Sequence, residues 1–204
     1  MLGESTLKDT VARYIDRAVA KRDDYNVIHL EEVADCLRRS YYNRVEDKVP
    51  MKEKLKGLVM YNSKGEVKEY KDDTIALRIL ARADVVDDSI IYIKQVGTLP
   101  DTPDARDIMI LNANLWIFGK EEGALIYVTD DGESIQFSLQ RDKRLFDETK
   151  RRATVLHTLL KEGRVPIIEP SRECMTCSYY EKCYVQHKKY ENTTLERIFG
   201  FKRD

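Results

Sequence analysis

The residues most able to do chemistry are the thiols. Three of the cysteines, Cys174, Cys177 and Cys183, fall close together near the end of the sequence, and the remaining one, Cys36, stands far upstream. Four thiolates are the number required both by a tetrahedral zinc ion and by a cubane iron-sulfur cluster. Structural zinc sites usually come as two close pairs, whereas here three ligands lie together and one is distant, so the spacing favours a cluster over zinc. Unliganded buried thiols are the remaining alternative. Two disulfides would be the reading for an exported chain, but MLGESTLKDTVARYIDR lacks the basic-then-apolar order of a secretory signal. A reducing cytoplasmic compartment is therefore expected, in which thiols at this spacing more often hold a metal or a cluster. Either species would staple the N-terminal helices to the C-terminal stretch, because closing so long a loop removes unfolded-state entropy.

A second constellation is sparser. Asp84 ends one expected strand and Lys94 lies late in the next, so a hairpin would bring both to one edge. An Asp that holds a divalent ion and a Lys that steadies an attacking water form the minimum of a metal-dependent phosphodiesterase site. An Asp and a Lys on a hairpin are nevertheless surface charges far more often than catalysts. Basic residues suited to a phosphate backbone are Arg38, Arg39 and Arg44 beside the first cysteine, Lys143, Arg144, Lys150, Arg151 and Arg152 further on, and Lys188 and Lys189 after the last cysteine. Tyr41, Tyr42, Tyr179, Tyr180 and Tyr184 lie among them and could stack on unpaired bases. A solvated basic face with tyrosines packed around the thiols explains the same residues equally well. His29, His157 and His187 suggest structural or solvent roles.

The elements that must position these groups follow from periodicity. Residues 5–22 place Leu7, Val11, Tyr14, Ile15 and Val19 at helical intervals, and a second helix is expected from about Leu30 to Val45. Pro50 suits the first turn of a third through KEKLKGLVMY, and the sequence around Gly65 reads as a turn. IALRILARADVV and SIIYIKQV, joined at Asp87-Asp88, read as a strand pair, as do ALIYVTDD and ESIQFSLQ around Asp131-Gly132. Between them ARDIMILNANLWIFG is a helix buried on a sheet, and DKRLFDETKRRATVLHTLLKEG is a long helix ended by Gly163. This order describes an α/β domain, a mixed sheet with covering helices on both sides. Residues 1–170 form it and 171–204 a cysteine-rich segment and tail closing on Cys36. With 42% apolar and 35% charged residues in 204, the chain can bury a core and is neither low-complexity nor wholly disordered. A net charge of -1 leaves nucleic-acid partners open, and no apolar run is long enough for a membrane span.

Taken together, these residues resemble the CRISPR-associated RecB-like exonucleases, iron-sulfur members of the PD-(D/E)XK nuclease superfamily that trim DNA ends during spacer acquisition. CLRRSYYNR at Cys36 looks like the family's upstream cluster cysteine, ECMTCSYYEKC like its remaining three, and RADVVDDSIIYIKQVG like its nuclease hairpin. The resemblance spans roughly residues 28–187. It implies a PD-(D/E)XK nuclease-like mixed sheet with a C-terminal iron-sulfur module, a 4Fe-4S cluster on Cys36, Cys174, Cys177 and Cys183, and Asp84 as metal ligand. Arg38, Arg39, Arg44, Arg151 and Arg152 become the expected DNA contacts, with CRISPR adaptation proteins as further partners.

The departures bear on activity. The family's second carboxylate is replaced by Tyr92 in Tyr92-Ile93-Lys94, its metal-ligand His by Met60 after Gly57, and its Gln and Tyr by Ile110 and Asn114. The expected function is thus DNA or adaptation-complex binding by a catalytically impaired relative, with Asp84 and Lys94 as remnants. Two readings stand beside it. One is an active Mg- or Mn-dependent exonuclease whose ligands have moved to Glu53, Asp87, Asp88 or Asp107. The other is a zinc-stabilised protein-interaction module.

Overall fold

The computed structural model describes residues 24–46, 48–55 and 65–185. Its elements are β1 (Val27–His29), α1 (Leu30–Ala34), α2 (Leu37–Val45), β2 (Glu66–Asp72), β3 (Leu77–Val86), β4 (Ser89–Gln95), α3 (Ala105–Phe118), β5 (Glu122–Val128), β6 (Ser134–Gln140) and α4 (Lys143–Glu162). A 3-10 turn, Arg172–Thr176, carries Cys174 and ends at Cys177, and a single π turn, Glu181–Val185, carries Cys183. The expected helix over 5–22, Gly57, Met60, His187, Lys188 and Lys189 lie outside the described residues. Residues 51–55 are helical, in line with Pro50 opening that segment.

One mixed six-stranded sheet organises the domain. The N-terminal part of β3 carries β1 in parallel and β2 antiparallel, one on each edge, and its last three residues pair with β4. From there β4 pairs in parallel with β5, and β5 antiparallel with β6. The parallel step needs a crossover, which α3 supplies. Strands β1 and β2 were not expected from the sequence. β1 is only three residues long, and β2, EVKEYKD, is mostly charged and exposed, so neither shows an apolar alternation.

Side-chain alternation along β3 sets the layers. Leu77, Ile79, Ala81 and Ala83 are buried, and the residues between them are exposed or half-exposed. Leu30, Ala34, Ile110, Leu111 and Leu115 pack on Ala81 and Ala83, and Val33, Leu37, Ala153, Leu156 and Leu160 pack on Leu77 and Ile79. The helices flanking the sheet therefore share one face of it, among the described residues. This corrects the expectation of helices on both sides: the two apolar helices pack together, α3 against α4, in a single layer.

The expected helix over Leu30 to Val45 divides at Asp35-Cys36, where Asp35 is extended and Cys36 is non-helical at φ -59° and ψ 115°. The Asp35 carboxylate accepts from the Cys36 amide at 2.8 Å, a bond made outside the helical ladder. Helix α3 begins at Asp104, whose side chain accepts from the Arg106 amide, and α4 at Asp142, which caps the Leu145 amide. Gly119 and Gly163 end these helices at φ of 72° and 64°, the left-handed region that favours glycine. Fully buried Asn112 joins the two helices, accepting from the Asp142 amide at 2.6 Å and donating to its carbonyl at 3.0 Å.

Candidate cysteine cavity and the hairpin site

The break at Asp35 is what carries Cys36 to the late cysteines. Cys36, Cys174, Cys177 and Cys183 line one partly open recess, together with Arg38, Arg39, Glu169, Tyr179 and Tyr184. All four thiols are free. Several donors point at the sulfurs. The Ser171 amide lies 3.3 Å and the Tyr184 hydroxyl 3.5 Å from Cys174 Sγ, and the Tyr179 amide lies 3.5 Å from Cys177 Sγ. Burial pushes the Cys36 and Cys183 thiols up. At Cys174 burial pulls the same way, but the Tyr184 hydroxyl, Ser171 and the Arg39 charge outweigh it and the thiol falls below its ordinary range. Among the described residues no group of three or more His, Cys, Asp or Glu side chains is placed to hold a single metal ion.

The walls of the recess are fastened to the domain by charge. Arg39 holds both oxygens of Asp35 and reaches Glu173. Arg106, on the first turn of α3, donates to Glu173 at 2.8 Å and to Asp35 at 3.2 Å. Arg152 of α4 donates to the carbonyls of Val33 and Asp35 and to Glu169. Buried Tyr179 donates to Asn43 at 2.8 Å and stacks obliquely on Tyr42.

These contacts change the standing of the basic candidates. Arg44, 3% exposed, is taken up by Glu32 and the Val27 carbonyl. Arg39 is buried in its carboxylate pairs, and Arg152 is tied to Glu169 and main-chain carbonyls. Arg38, half-buried at the recess and 5.8 Å over the Tyr42 ring, and Arg151, exposed beside Glu148, remain within reach of a ligand. Of the tyrosines, Tyr41, Tyr42 and Tyr179 are buried, while Tyr180 is exposed and stacks on Tyr184. Sequence reasoning missed this division because an arginine in an ion pair and one in water look alike until the long-range partner is known.

The hairpin does not bring Asp84 and Lys94 together. In the register Asp84↔Ile91 and Val85↔Ile90, Lys94 shares the helix-covered face with Ile90 and Tyr92, while Asp84 points to the opposite face with Ile91 and Ile93. Strand side chains alternate with period two, so an odd offset in pairing separates the two residues. This corrects the expected shared edge. The Lys94 ammonium instead meets both oxygens of Asp107, at 2.9 and 2.7 Å. Asp107 is 2% exposed and also accepts from the Tyr127 hydroxyl at 2.8 Å, and that hydroxyl accepts in turn from the Asp104 amide. Burial, then the carboxylates of Asp107 and Glu31, push the Tyr92 phenol well above its ordinary value, so it stays neutral. Asp107 entered the sequence reading only as one alternative acid. Its contact with Lys94 depends on how α3 docks on β4 and β5. Buried Glu53, another alternative, accepts from the Ser178 hydroxyl at 3.1 Å.

No family model and no curated protein matches the sequence. Nine solved chains match in structure. The crystal structure of SSO0001 aligns over 90% of this chain and 98% of its own, with 17% identity and a TM-score of 0.62, which shows a shared fold. An alkaline exonuclease from Laribacter hongkongensis aligns over 74% of this chain and 93% of its own, with 14% identity and a TM-score of 0.46, and its complex with dAMP aligns at 0.44.

Proposed function

We propose that the chain is an iron-sulfur protein with a nuclease-like fold, similar to the CRISPR-associated RecB-like exonucleases, impaired in catalysis and acting through binding to DNA or to adaptation-complex partners. The observation that carries this reading is that Cys36, distant in sequence, reaches the recess lined by Cys174, Cys177 and Cys183. Four free thiols with amide and hydroxyl donors aimed at two of them suit a cluster, whose sulfurs are commonly hydrogen-bonded. A single zinc ion, with sulfurs about 2.3 Å from the metal, demands tighter convergence than the described side chains show. A bound cluster would supply a covalent cross-link and a redox-active group. This chain's residues would hold it: Arg106, Arg39 and Arg152 anchor the carboxylates beside the cysteines, and Tyr179 plugs the recess against α2.

The hairpin supports the reading of impaired catalysis. Tyr92 offers a neutral phenol where the resemblance would place a carboxylate, Asp84 lies on the other face from Lys94, and Lys94 is neutralised by Asp107. A hard divalent cation prefers carboxylate and water oxygens, which that arrangement does not present together. The deciding experiment combines three measurements on anaerobically purified protein: iron and sulfide content, cleavage of single- and double-stranded DNA with magnesium or manganese, and DNA binding as a function of salt. Bound iron and sulfide, no cleavage, and binding that weakens steeply with salt through Lys and Arg contacts is the expected result. Stoichiometric zinc without iron would overturn the cluster reading.

One observation favours a second reading, an active Mg- or Mn-dependent exonuclease with a relocated ligand. Asp107 places a carboxylate against Lys94 from α3, and the Glu31 carboxylate is near enough to act on Tyr92. Cleavage abolished by both Asp107→Asn and Lys94→Ala but retained in Asp84→Ala would establish it.

A further inference from the structure

The sheet presents two kinds of outer strand. β2 carries Glu66, Lys68, Glu69, Lys71 and Asp72, charges of the sort that keep an outer strand from pairing with another chain. β6 reads SIQFSLQ and has no charge, no proline and no glycine along its length. It ends the strand order and pairs only with β5 among the described residues. An uncharged strand of this composition at an open edge is a template for strand addition.

The hydrogen-bond phase shows what fits there. The Thr129 amide donates to the Glu133 carbonyl at 2.9 Å and the Arg141 amide to the Glu121 carbonyl at 3.0 Å, bracketing the β5–β6 ladder in register Glu122↔Gln140 to Val128↔Ser134. The odd-numbered residues of β6 thus bond to β5, and the peptide groups of Ser134, Gln136, Ser138 and Gln140 face outward. On the helix-covered side Ile135, Phe137 and Leu139 are only partly buried, with Phe137 edge-on to Tyr127 at 6.0 Å.

We propose that β6 joins the β6 of a second copy of this chain, antiparallel about a two-fold axis at Phe137, to make one continuous sheet across a dimer. The strand is self-complementary in this register. Ser134 faces the partner's Gln140, Gln136 faces the partner's Ser138, and Ile135 faces the partner's Leu139. Each outward peptide group then meets an outward peptide group, and Phe137 meets the partner's Phe137 in a non-hydrogen-bonded pair, where side chains approach most closely. The apolar residues meet on one face and the Ser and Gln residues on the other, with no like charges opposed. A two-fold axis of this kind gives a closed, isologous interface.

The test is sedimentation equilibrium on the full chain from about 1 to 100 μM, a range suited to micromolar self-association. Two doubly substituted variants are compared with it, Gln136→Lys with Ser138→Lys and Gln136→Glu with Ser138→Glu. All four substitutions fall on exposed positions of β6, and unchanged circular dichroism and melting confirm each fold. The expected result is a dimer for the unsubstituted chain, at least a tenfold weaker dimer for each variant alone, and restored dimer when the two variants are mixed, because position 136 faces the partner's position 138. A chain monomeric throughout this range, a dimer indifferent to both variants, or a mixture that stays monomeric would overturn the proposal.

Discussion

Asp107 is a carboxylate almost without solvent, and its two oxygens are shared between the ammonium of Lys94 and the hydroxyl of Tyr127. Removing one partner of such a pair leaves an uncompensated buried charge, which costs more than the pair's net contribution. Lys94 is about a third exposed, so water compensates in part. Lys94→Met is expected to lower stability by roughly 1–3 kcal/mol, and Tyr127→Phe by about 1 kcal/mol. In urea unfolding, Lys94→Met combined with Asp107→Leu should be less destabilised than the sum of the two single changes. Strict additivity would show that the contact contributes nothing. If Lys94 and Asp107 are a structural pair rather than a catalytic remnant, Lys94→Met alters stability and leaves DNA binding unchanged.

At the scale of an element, α4 buries His157 against the first described residues. The ring is 3% exposed, its Nε2 lies 3.4 Å from Asn26 Oδ1, and its Nδ1 has no partner among the described residues. Burial first, and the Lys161 charge second, hold the imidazole below its ordinary pKa. The unfolded imidazole titrates near ~6.5, so the unfolded chain takes up the proton more readily. The resulting stability is fully present above that value and is lost as pH falls from it toward the depressed folded value. The urea midpoint should therefore drop between pH 7.5 and pH 5.5, and His157→Leu should flatten that drop. An equal drop in the variant would place the sensitivity elsewhere.

For the whole molecule, the cysteine recess brings together segments far apart in the chain, the α1–α2 break and the segment after α4. A group bound by all four thiols would stabilise mainly by constraining the unfolded chain, and its loss would couple to unfolding. Cys36→Ser is expected to lose visible absorption and to lower the melting temperature. Glu173→Gln, which weakens the Arg106 and Arg39 contacts without touching a thiol, should keep the absorption but speed its bleaching by an iron chelator. Unchanged spectra and melting in Cys36→Ser would remove the shared site. Among the described residues no helix is long and apolar enough to cross a membrane.

Much of the architecture was legible in the sequence, because β3 and β6 alternate with period two, β4 and β5 are short apolar runs bounded by turns, and α3 and α4 carry apolar residues at helical spacing with Asp caps and terminal glycines. The spacing of Cys174, Cys177 and Cys183 was equally local, whereas the place of Cys36 beside them rests on the fold. What tertiary structure decided were relations that no spacing encodes. The pairing Asp84↔Ile91 put Asp84 and Lys94 on opposite faces, since one residue of offset in a pleated pair reverses the side a residue occupies. Docking of α3 against β4 and β5 gave Lys94 its counter-ion in Asp107. Arg39 and Arg44 are buried and Arg152 is half-buried, and each guanidinium satisfies donors within the fold, with Asp35, Glu32 and Glu169, a pairing no local spacing reveals.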